Sequence, residues 1–387
     1  MLLTAREAAA RLGIKLDTLY AYVSRGRLRS VMVPGSRQRR YRAAEVEALR
    51  ATAAPSPRAA EPEALTPVIA SSICLIENGR LYYRGEDALA LAETASLEDA
   101  ARLLWQAEAA DGEFAALGEA AEGTRSVGLI ARCQMRLAAL AEKDLPALDL
   151  SRAGVIRTGR LILRELAACV AAAAGPTAAP VHRQLAAAWA LDEAGAAVVR
   201  RALVLLADHE LNASTFVARC VASTAATPYA VVMAALAALS GRRHGGASAR
   251  AEALLRELAG GGDALALMAS RLARGEELPG FGQFLYPDGD PRAAAILAAV
   301  SEAAAPAAGK AIATAVAAGT RLGGQPPNVD FALAAATTAL GLPPSAALGL
   351  FVVGRTVGWI AHAIEQYESG GLIRPRARYT GRRPGVS

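Results

Sequence analysis

The chain has 387 residues, which leaves room for two or three domains. Hydrophobic residues make up 53% and charged residues 20%, which excludes a chain that stays disordered for want of a core, and the 5% of aromatics beside abundant alanine favours close-packed helices over a β-sandwich. The net charge of +6 is confined to one end: residues 1–50 hold eleven Lys/Arg against four Asp/Glu, and the rest hold 31 against 32. No unbroken apolar stretch reaches the ~18 residues of a membrane span. The N-terminus, MLLTAREAAARLG, lacks the apolar block of a secretory signal. A soluble cytoplasmic protein with no membrane partner is expected. Cys74, Cys133, Cys169 and Cys220 stand 59, 36 and 51 residues apart without a CxxC pair, so free thiols and no metal site are expected.

Residues 1–50 are predicted to form a compact module. Thr4-Ala5-Arg6-Glu7 has the spacing of a capping box, in which a hydroxyl and a carboxylate each take up a free N–H at a helix start. That helix should run to Leu12 and stop at Gly13. A second helix, about 16–24, carries Leu16, Leu19, Tyr20 and Val23 on one face and ends before Gly26. RLRSVMVPGSRQRRYR reads as a β-hairpin turning at Pro34-Gly35-Ser36, with Arg37, Arg39, Arg40 and Arg42 along the return arm, and 43–50 closes the unit as a short helix. The string AREAAxxLGIxxxTLYxYxxRGxL resembles the winged helix-turn-helix of excisionase-like and MerR-like regulators. In such modules the second helix enters the major groove and the wing arginines hold phosphates. DNA is the partner this resemblance implies, with Arg37, Arg39, Arg40 and Arg42 as contacts. A solvated basic face, or a unit that docks dimers, has the same pattern.

Residues 51–66 (ATAAPSPRAAEPEALT) have a linker's composition, and 67–387 follow as the large unit. Asn78-Gly79, between alternating apolar residues, predicts a hairpin turn. From Ala88 the pattern is helical nearly throughout, broken by Gly/Pro near 175, 226–228, 260–263, 279–291, 323–327 and 341–344. The expected fold class is mainly α: a small winged helix joined to a large helical domain.

Chemistry-bearing residues interrupt the apolar helices. His209 lies in ADHELNAST at a predicted helix boundary, and Ala213 four residues on excludes a zinc-protease HExxH. His244 lies in LSGRRHGGAS, where Gly245 and Gly246 are expected to admit a ligand and to leave amide N–H groups free. Gly280-Phe281-Gly282 runs into Gln283 rather than completing a nucleotide fingerprint. Asp330, in PPNVDF, reads as a desolvated carboxylate suited to taking a proton beside a carbonyl, or as a helix N-cap; spacing alone favours the cap. Arg292, Arg355 and Arg374 offer forks for carboxylates, or are surface charge; Arg355, inside the apolar run 348–360, would be buried and need an anion. His182 reads as a surface residue.

Taken together, SxxxIENGxLxYRG, ADHELNASTFxAR, LSGxxHGGA, PGFGxxxYxxxDPRA, PNVDF, GRxxGWIAHxxEQ and IRPxxxY, in that order from Ser71 to Gly381, resemble the citrate synthase family. The resemblance implies a helical homodimer, each subunit with a large domain and an inserted small domain (about 225–325) around a cleft. It implies that His209, Arg292 and Arg355 bind oxaloacetate, with Arg374 reaching the neighbouring subunit's substrate. Asp330 would take a methyl proton from acetyl-CoA, the co-substrate, while His244 hydrogen-bonds the thioester oxygen; no bound cofactor or metal is implied. His362, in AHxxEQ, would pack or hydrogen-bond. The chain departs from the family at Gln283, where GFGH would place a histidine that polarises the keto group and protonates the new alkoxide. An amide cannot give up that proton, and general acid catalysis is worth ~10²–10⁴-fold. Phe284-Leu285 puts no basic side chain near the expected CoA phosphates. Two functions follow: a slowed citrate-synthase-like acyltransferase acting on oxaloacetate and an acyl-CoA, or an impaired homologue serving as a DNA-binding, metabolite-sensing regulator.

Overall fold

The structure is a computed structural model and describes residues 2–12, 19, 23, 28, 30–32, 39–43, 45–46, 69–108, 127–173, 175–260 and 262–381. It divides into two compact units, Met1–Ala70 and Ser71–Ser387.

In the first unit, strand β1 (Leu2–Leu3) leads into helix α1 (Ala5–Leu12). The capping box forms as expected: Glu7 N donates to Thr4 Oγ1 at 3.2 Å, and Thr4 N donates to Glu7 Oε2 at 2.7 Å. The hairpin arms are β2 (Ser30–Met32) and β3 (Arg39–Arg42), antiparallel with Ser30 opposite Tyr41. The sequence pattern did not signal β1, whose two residues pair with the far edge of β3. Leu3, Ala8, Ala9, Leu19, Leu28, Tyr41 and Val46 form the core. Leu19 and Val23 are helical, as are Ala43, Glu45 and Val46. The rest of the second helix, the wing turn with Arg37, and the 51–66 linker lie outside the described residues.

The second unit opens with the hairpin β4 (Cys74–Glu77) and β5 (Arg80–Tyr83), joined by Asn78 (φ 52°) and Gly79 (φ 73°). Two successive positive φ values are what a tight hairpin turn with the right twist requires, and Asn-Gly supplies them at least strain. After β6 (Glu86–Asp87) the chain is helical: α2 (Ala88–Thr94), α3 (Leu97–Trp105), α4 (Leu129–Ala141), α5 (Arg152–Ala171), α6 (Val181–Ala188), α7 (Glu193–Leu206), α8 (Ala213–Ala222) and α9 (Pro228–Leu239). There follow α10 (Gly246–Ala259), α11 (Ala264–Ala273), α12 (Pro291–Ala303), α13 (Pro306–Gly323), α14 (Val329–Ala339) and α15 (Ala346–Ser369). Breaks fall at the Gly/Pro clusters expected, where the backbone donor or the helical φ is lost, but those at 95–96, 189–192 and 207–212 contain neither residue.

Helix α15 is the axis of this unit. It is apolar on all sides, and α3, α5, α7, α8 and α9 pack around it. Among the described helices it alone is long and apolar enough to cross a membrane, a length the sequence pattern hid because Arg355 and His362 interrupt it; 94% of its most apolar window is buried within the fold. Its glycines admit neighbours: a Cβ on Gly358 would collide with the Asp208 carboxylate and the Ala207 carbonyl, whereas one on Gly309 in α13 would meet nothing. Gly358→Ala is therefore expected to cost ~1–3 kcal/mol by overpacking, against the ~1 kcal/mol that alanine gains in a helix interior. Gly309→Ala should stabilise, and urea midpoints of the two variants check both signs.

Candidate active site

Four chain breaks and one helix supply the polar residues. Segment 207–212 joins α7 to α8 and holds Asp208 and His209. Tyr83, fully buried on β5, fixes that segment: its hydroxyl donates to Val204 O at 3.0 Å and accepts from Asp208 N at 3.3 Å. His209 is 6% exposed, and its Nε2 lies 3.1 Å from the Tyr286 hydroxyl. Burial, then the charges of Arg292 and Arg355, hold its pKa well below the usual imidazole range. The ring is neutral.

Arg355 on α15 is 1% exposed. Its Nε donates to Leu206 O at 2.8 Å, its guanidinium carbon lies 5.0 Å from the Phe351 ring centroid, and buried Nη1 has no hydrogen-bond partner. Asp208 offsets part of the cost of burying this charge, and the unmet Nη1 leaves one donor open to a further anion. Arg292, in the first turn of α12, is also buried, but Asp290 grips its Nε (3.0 Å) and Nη2 (2.8 Å). Burial opposes the Arg292 charge, and Asp290 more than offsets it. Asp290 Oδ2 also accepts from Val329 N at 3.1 Å, which ties the start of α14 to α12.

Asp330 is not the N-cap. Asn328 caps α14, accepting from Asp330 N (3.0 Å) and Phe331 N (3.4 Å), because it precedes the helix with an extended backbone while Asp330 is already in the first turn. The Asp330 carboxylate instead accepts from the Ser248 hydroxyl at 2.5 Å. Burial raises its pKa above the ordinary carboxylate range, with the Ser248 bond opposing. Ser248 lies four residues after His244, so the start of α10 serves both groups.

His244 sits in the α9–α10 turn with Nε2 2.8 Å from Ser214 Oγ and its ring edge-on to Phe351. Burial, aided by Arg355, lowers its pKa to about 4, leaving it neutral at neutral pH. The free amides expected here are not free: His244 N and Gly246 N donate to Gly241 O, and Gly245 N donates to Leu239 O. The glycine at 245 answers to packing, since a Cβ there would meet Leu239 O and Leu348. Loop 280–283 is laced to the segment before Asp330 through Gly282 N to Pro326 O, Asn328 N to Gly280 O, and Asn328 Nδ2 to Gly282 O. Gln283 Oε1 accepts from Leu285 N at 3.4 Å, and Phe284 beside it is 86% exposed.

His362 has the hydrogen-bonding role expected. Arg219 Nη1 can only donate, so His362 Nδ1, 3.1 Å away, accepts; the ring proton is then on Nε2, 3.3 Å from Asp208 Oδ2. Arg219 pairs with Glu365, which accepts from Ser72 N (2.8 Å) and Ser72 Oγ (2.9 Å). Burial opposes ionisation of Glu365, yet the Ser72 and Arg219 bonds hold it down at about 2. Its contribution to stability is present above pH ~4.5, the unfolded value, and fades as pH falls toward 2. Glu365→Gln should cost ~2 kcal/mol at pH 7, less than the ~3–5 of a fully buried pair because Glu365 is partly exposed. Denaturation at pH 7 and pH 3 should show the gap narrowing in acid.

Two expectations need correction or restatement. His182 is buried on α6 rather than on the surface, because α6 packs that face against α5 and α7. Arg374 is exposed in the irregular segment after α15, with no hydrogen bond or ion pair among the described residues. Arg39 and Arg42 are exposed on β3 and Arg40 is partly so. No group of three or more His, Cys, Asp or Glu fit for a metal occurs among the described residues. Asp208, Asp290, Tyr286, Ser214 and Ser248 are the site residues that sequence reasoning missed. Two of them, Tyr286 and Asp290, stand inside the quoted YxxxDPRA string.

The family model described as "Citrate synthase, C-terminal domain" matches residues 64–376, and a "Helix-turn-helix domain" matches residues 2–53. Similar proteins include a citrate synthase of Haloferax volcanii, 46% identical over 186 residues (46% of this chain, 49% of that one). A 2-methylcitrate synthase of Shewanella oneidensis is 37% identical over 187 residues (47% and 50%). Those matches span about half the length of these curated relatives. A citrate synthase of Mycolicibacterium smegmatis is 30% identical over 343 residues, 79% of this chain and 90% of that one. The structure resembles the citrate synthase of Thermotoga maritima with a TM-score of 0.66 at 26% identity, over 83% of this chain and 95% of that one. These matches show that the chain belongs to the citrate synthase family and carries a helix-turn-helix domain at its N-terminal end.

Proposed function

We propose that this protein condenses an acyl-CoA, acetyl-CoA or its propionyl homologue, with oxaloacetate. The observation that carries this reading is the unmet Arg355 Nη1, buried beside neutral His209 and within electrostatic reach of His244. Arg355, Arg292 and His209 hold the dianionic keto acid, and Arg374 of one subunit reaches the substrate of the other in a homodimer. Ser214 Oγ accepts from Trp359 Nε1 at 3.2 Å and donates to Asn212 Oδ1 at 2.9 Å, so its proton reaches His244 Nε2, 2.8 Å away, only when the hydroxyl turns from Asn212 to the ring. With the hydroxyl so turned, the imidazole carries its proton on Nδ1 and offers it to the thioester oxygen. Asp330 removes the methyl proton, and the enol attacks the keto carbon. Stabilising the oxyanion with a preset donor is worth ~3–4 kcal/mol in such reactions. Residues about 225–325 form the small domain that closes over the bound substrates. Water hydrolyses the acyl-CoA adduct to release CoA. The test is CoA release, followed with a thiol reagent, from acetyl-CoA or propionyl-CoA plus oxaloacetate. Release that depends on oxaloacetate supports the reading, and none from either donor removes it.

A second reading rests on the helix-turn-helix match and the exposed arginines of β3. In it the N-terminal unit binds DNA through Arg37, Arg39, Arg40 and Arg42, and the synthase-like unit senses the keto acid. Fluorescence anisotropy with genomic fragments tests it: a salt-dependent, sequence-selective signal that responds to oxaloacetate is expected. Binding that ignores both sequence and oxaloacetate counts against it. Enzyme and regulator are compatible in one chain.

A further inference from the structure

The loop bearing Gln283 also brings a phenol to the keto-acid residues. Tyr286 N donates to Gln283 O at 3.0 Å, so positions 283 and 286 open and close a single turn. Tyr286 is 2% exposed, its hydroxyl is 3.1 Å from His209 Nε2, and Arg292 Cζ stands 5.7 Å from its ring centroid. It thus touches both His209 and Arg292, the two groups assigned to oxaloacetate at this end of the cluster. Carbon–carbon bond formation at a ketone leaves an alkoxide that must be protonated. Gln283 has no proton to release, the arginines keep theirs, and His244 is assigned to the thioester.

We propose that Tyr286 is the catalytic proton donor to the ketone oxygen in this chain, standing in for the side chain missing at 283, with His209 as its partner. The proposal rests on the synthase reading. In the Nε2–H tautomer His209 donates to Tyr286 Oη and leaves the phenolic hydrogen for the substrate, so in this tautomer His209 acts on the keto acid through Tyr286 rather than by an N–H of its own. As the enol carbon bonds to the keto carbon, the C=O π pair moves onto oxygen. That oxygen takes the proton from Tyr286, whose O–H bond breaks. The phenolate faces the Arg292 guanidinium and the His209 N–H, and it regains a proton from water once product leaves. Burial raises the Tyr286 phenol above its usual range, which keeps it protonated until an alkoxide forms.

The experiment is Tyr286→Phe made in the native chain and in a Gln283→His background, with two readouts. The first is kcat for CoA release. The second needs no acyl donor: the 13C resonance of bound oxaloacetate labelled at its ketone carbon, which moves downfield as the carbonyl is polarised. In the native chain Tyr286→Phe should lower kcat by at least ~10-fold, toward the ~10²–10⁴ of a general acid, and shift the resonance back toward that of free oxaloacetate. In the Gln283→His background the same change should cost less than about 3-fold, because the imidazole takes over. Equal losses in both backgrounds, or an unchanged resonance, would overturn the role of Tyr286 while leaving the synthase reading standing. Failure of the native protein to bind oxaloacetate would overturn both.

Discussion

Asp330→Asn is expected to lower condensation by ~10²–10⁴-fold while oxaloacetate affinity stays within about 3-fold. The amide keeps the shape and still accepts from the Ser248 hydroxyl, so the Ser248 contact that joins α14 to α10 is retained. It cannot take up a proton. The residues proposed to hold the keto acid lie elsewhere, on α12, α15 and the 207–212 segment, which is why binding should survive. Steady-state kinetics and calorimetric titration with oxaloacetate separate the two effects. The same carboxylate sets the acid limb of the pH profile. Its raised pKa means that the base is ionised only above the ordinary carboxylate range, and the rate falls as pH drops through that value. His244 stays neutral down to about 4, so it adds nothing to the limb until lower pH.

Gln283→His should act in the opposite direction but by less, raising kcat by no more than ~10-fold, because Tyr286 already supplies much of the ~10²–10⁴ of a general acid. A rise by that whole factor would count against Tyr286 as the donor. The site is prepared to receive the ring. Gly280 and Gly282 adopt φ values of 88° and 79°, and hydrogen bonds to Pro326 and Asn328 hold the loop against the start of α14, so the backbone at 283 is positioned with respect to Asp330. The present amide is engaged only with Leu285 N at a long 3.4 Å. A rate unchanged by the substitution would show that protonation of the alkoxide is already provided for, and the Tyr286 comparison identifies the provider.

Much of the architecture was legible because it is local. The Thr4–Glu7 capping box, the Asn78-Gly79 turn and the Gly/Pro breaks between helices each depend on a few neighbouring residues. Strand β1 was not, because two residues carry no periodicity and exist as a strand only through pairing with β3. The site residues stood out where a polar group interrupts an apolar helix, as Arg355 does. What escaped were the partners that give each group its state. Ser248 for Asp330, Ser214 for His244 and Asp208 for His362 are joined across 82, 30 and 154 positions in the chain, and a serine in a helix looks the same whether or not it faces a carboxylate. Asp330 shows the consequence: Asn328, two residues earlier, took the cap that spacing had offered to the aspartate. The glycines at 245 and 246 are a second case, since only the fold shows that their amides close a turn.

The most direct test is a crystal structure of the protein with oxaloacetate and carboxymethyl-CoA, an unreactive mimic of the enolised thioester. One carboxylate of the keto acid should lie on Arg355 Nη1, the ketone oxygen beside Tyr286 and His209, and the mimic's carboxylate between Asp330 and His244. Ligand found outside that cluster, or none at saturating concentrations, would contradict the account.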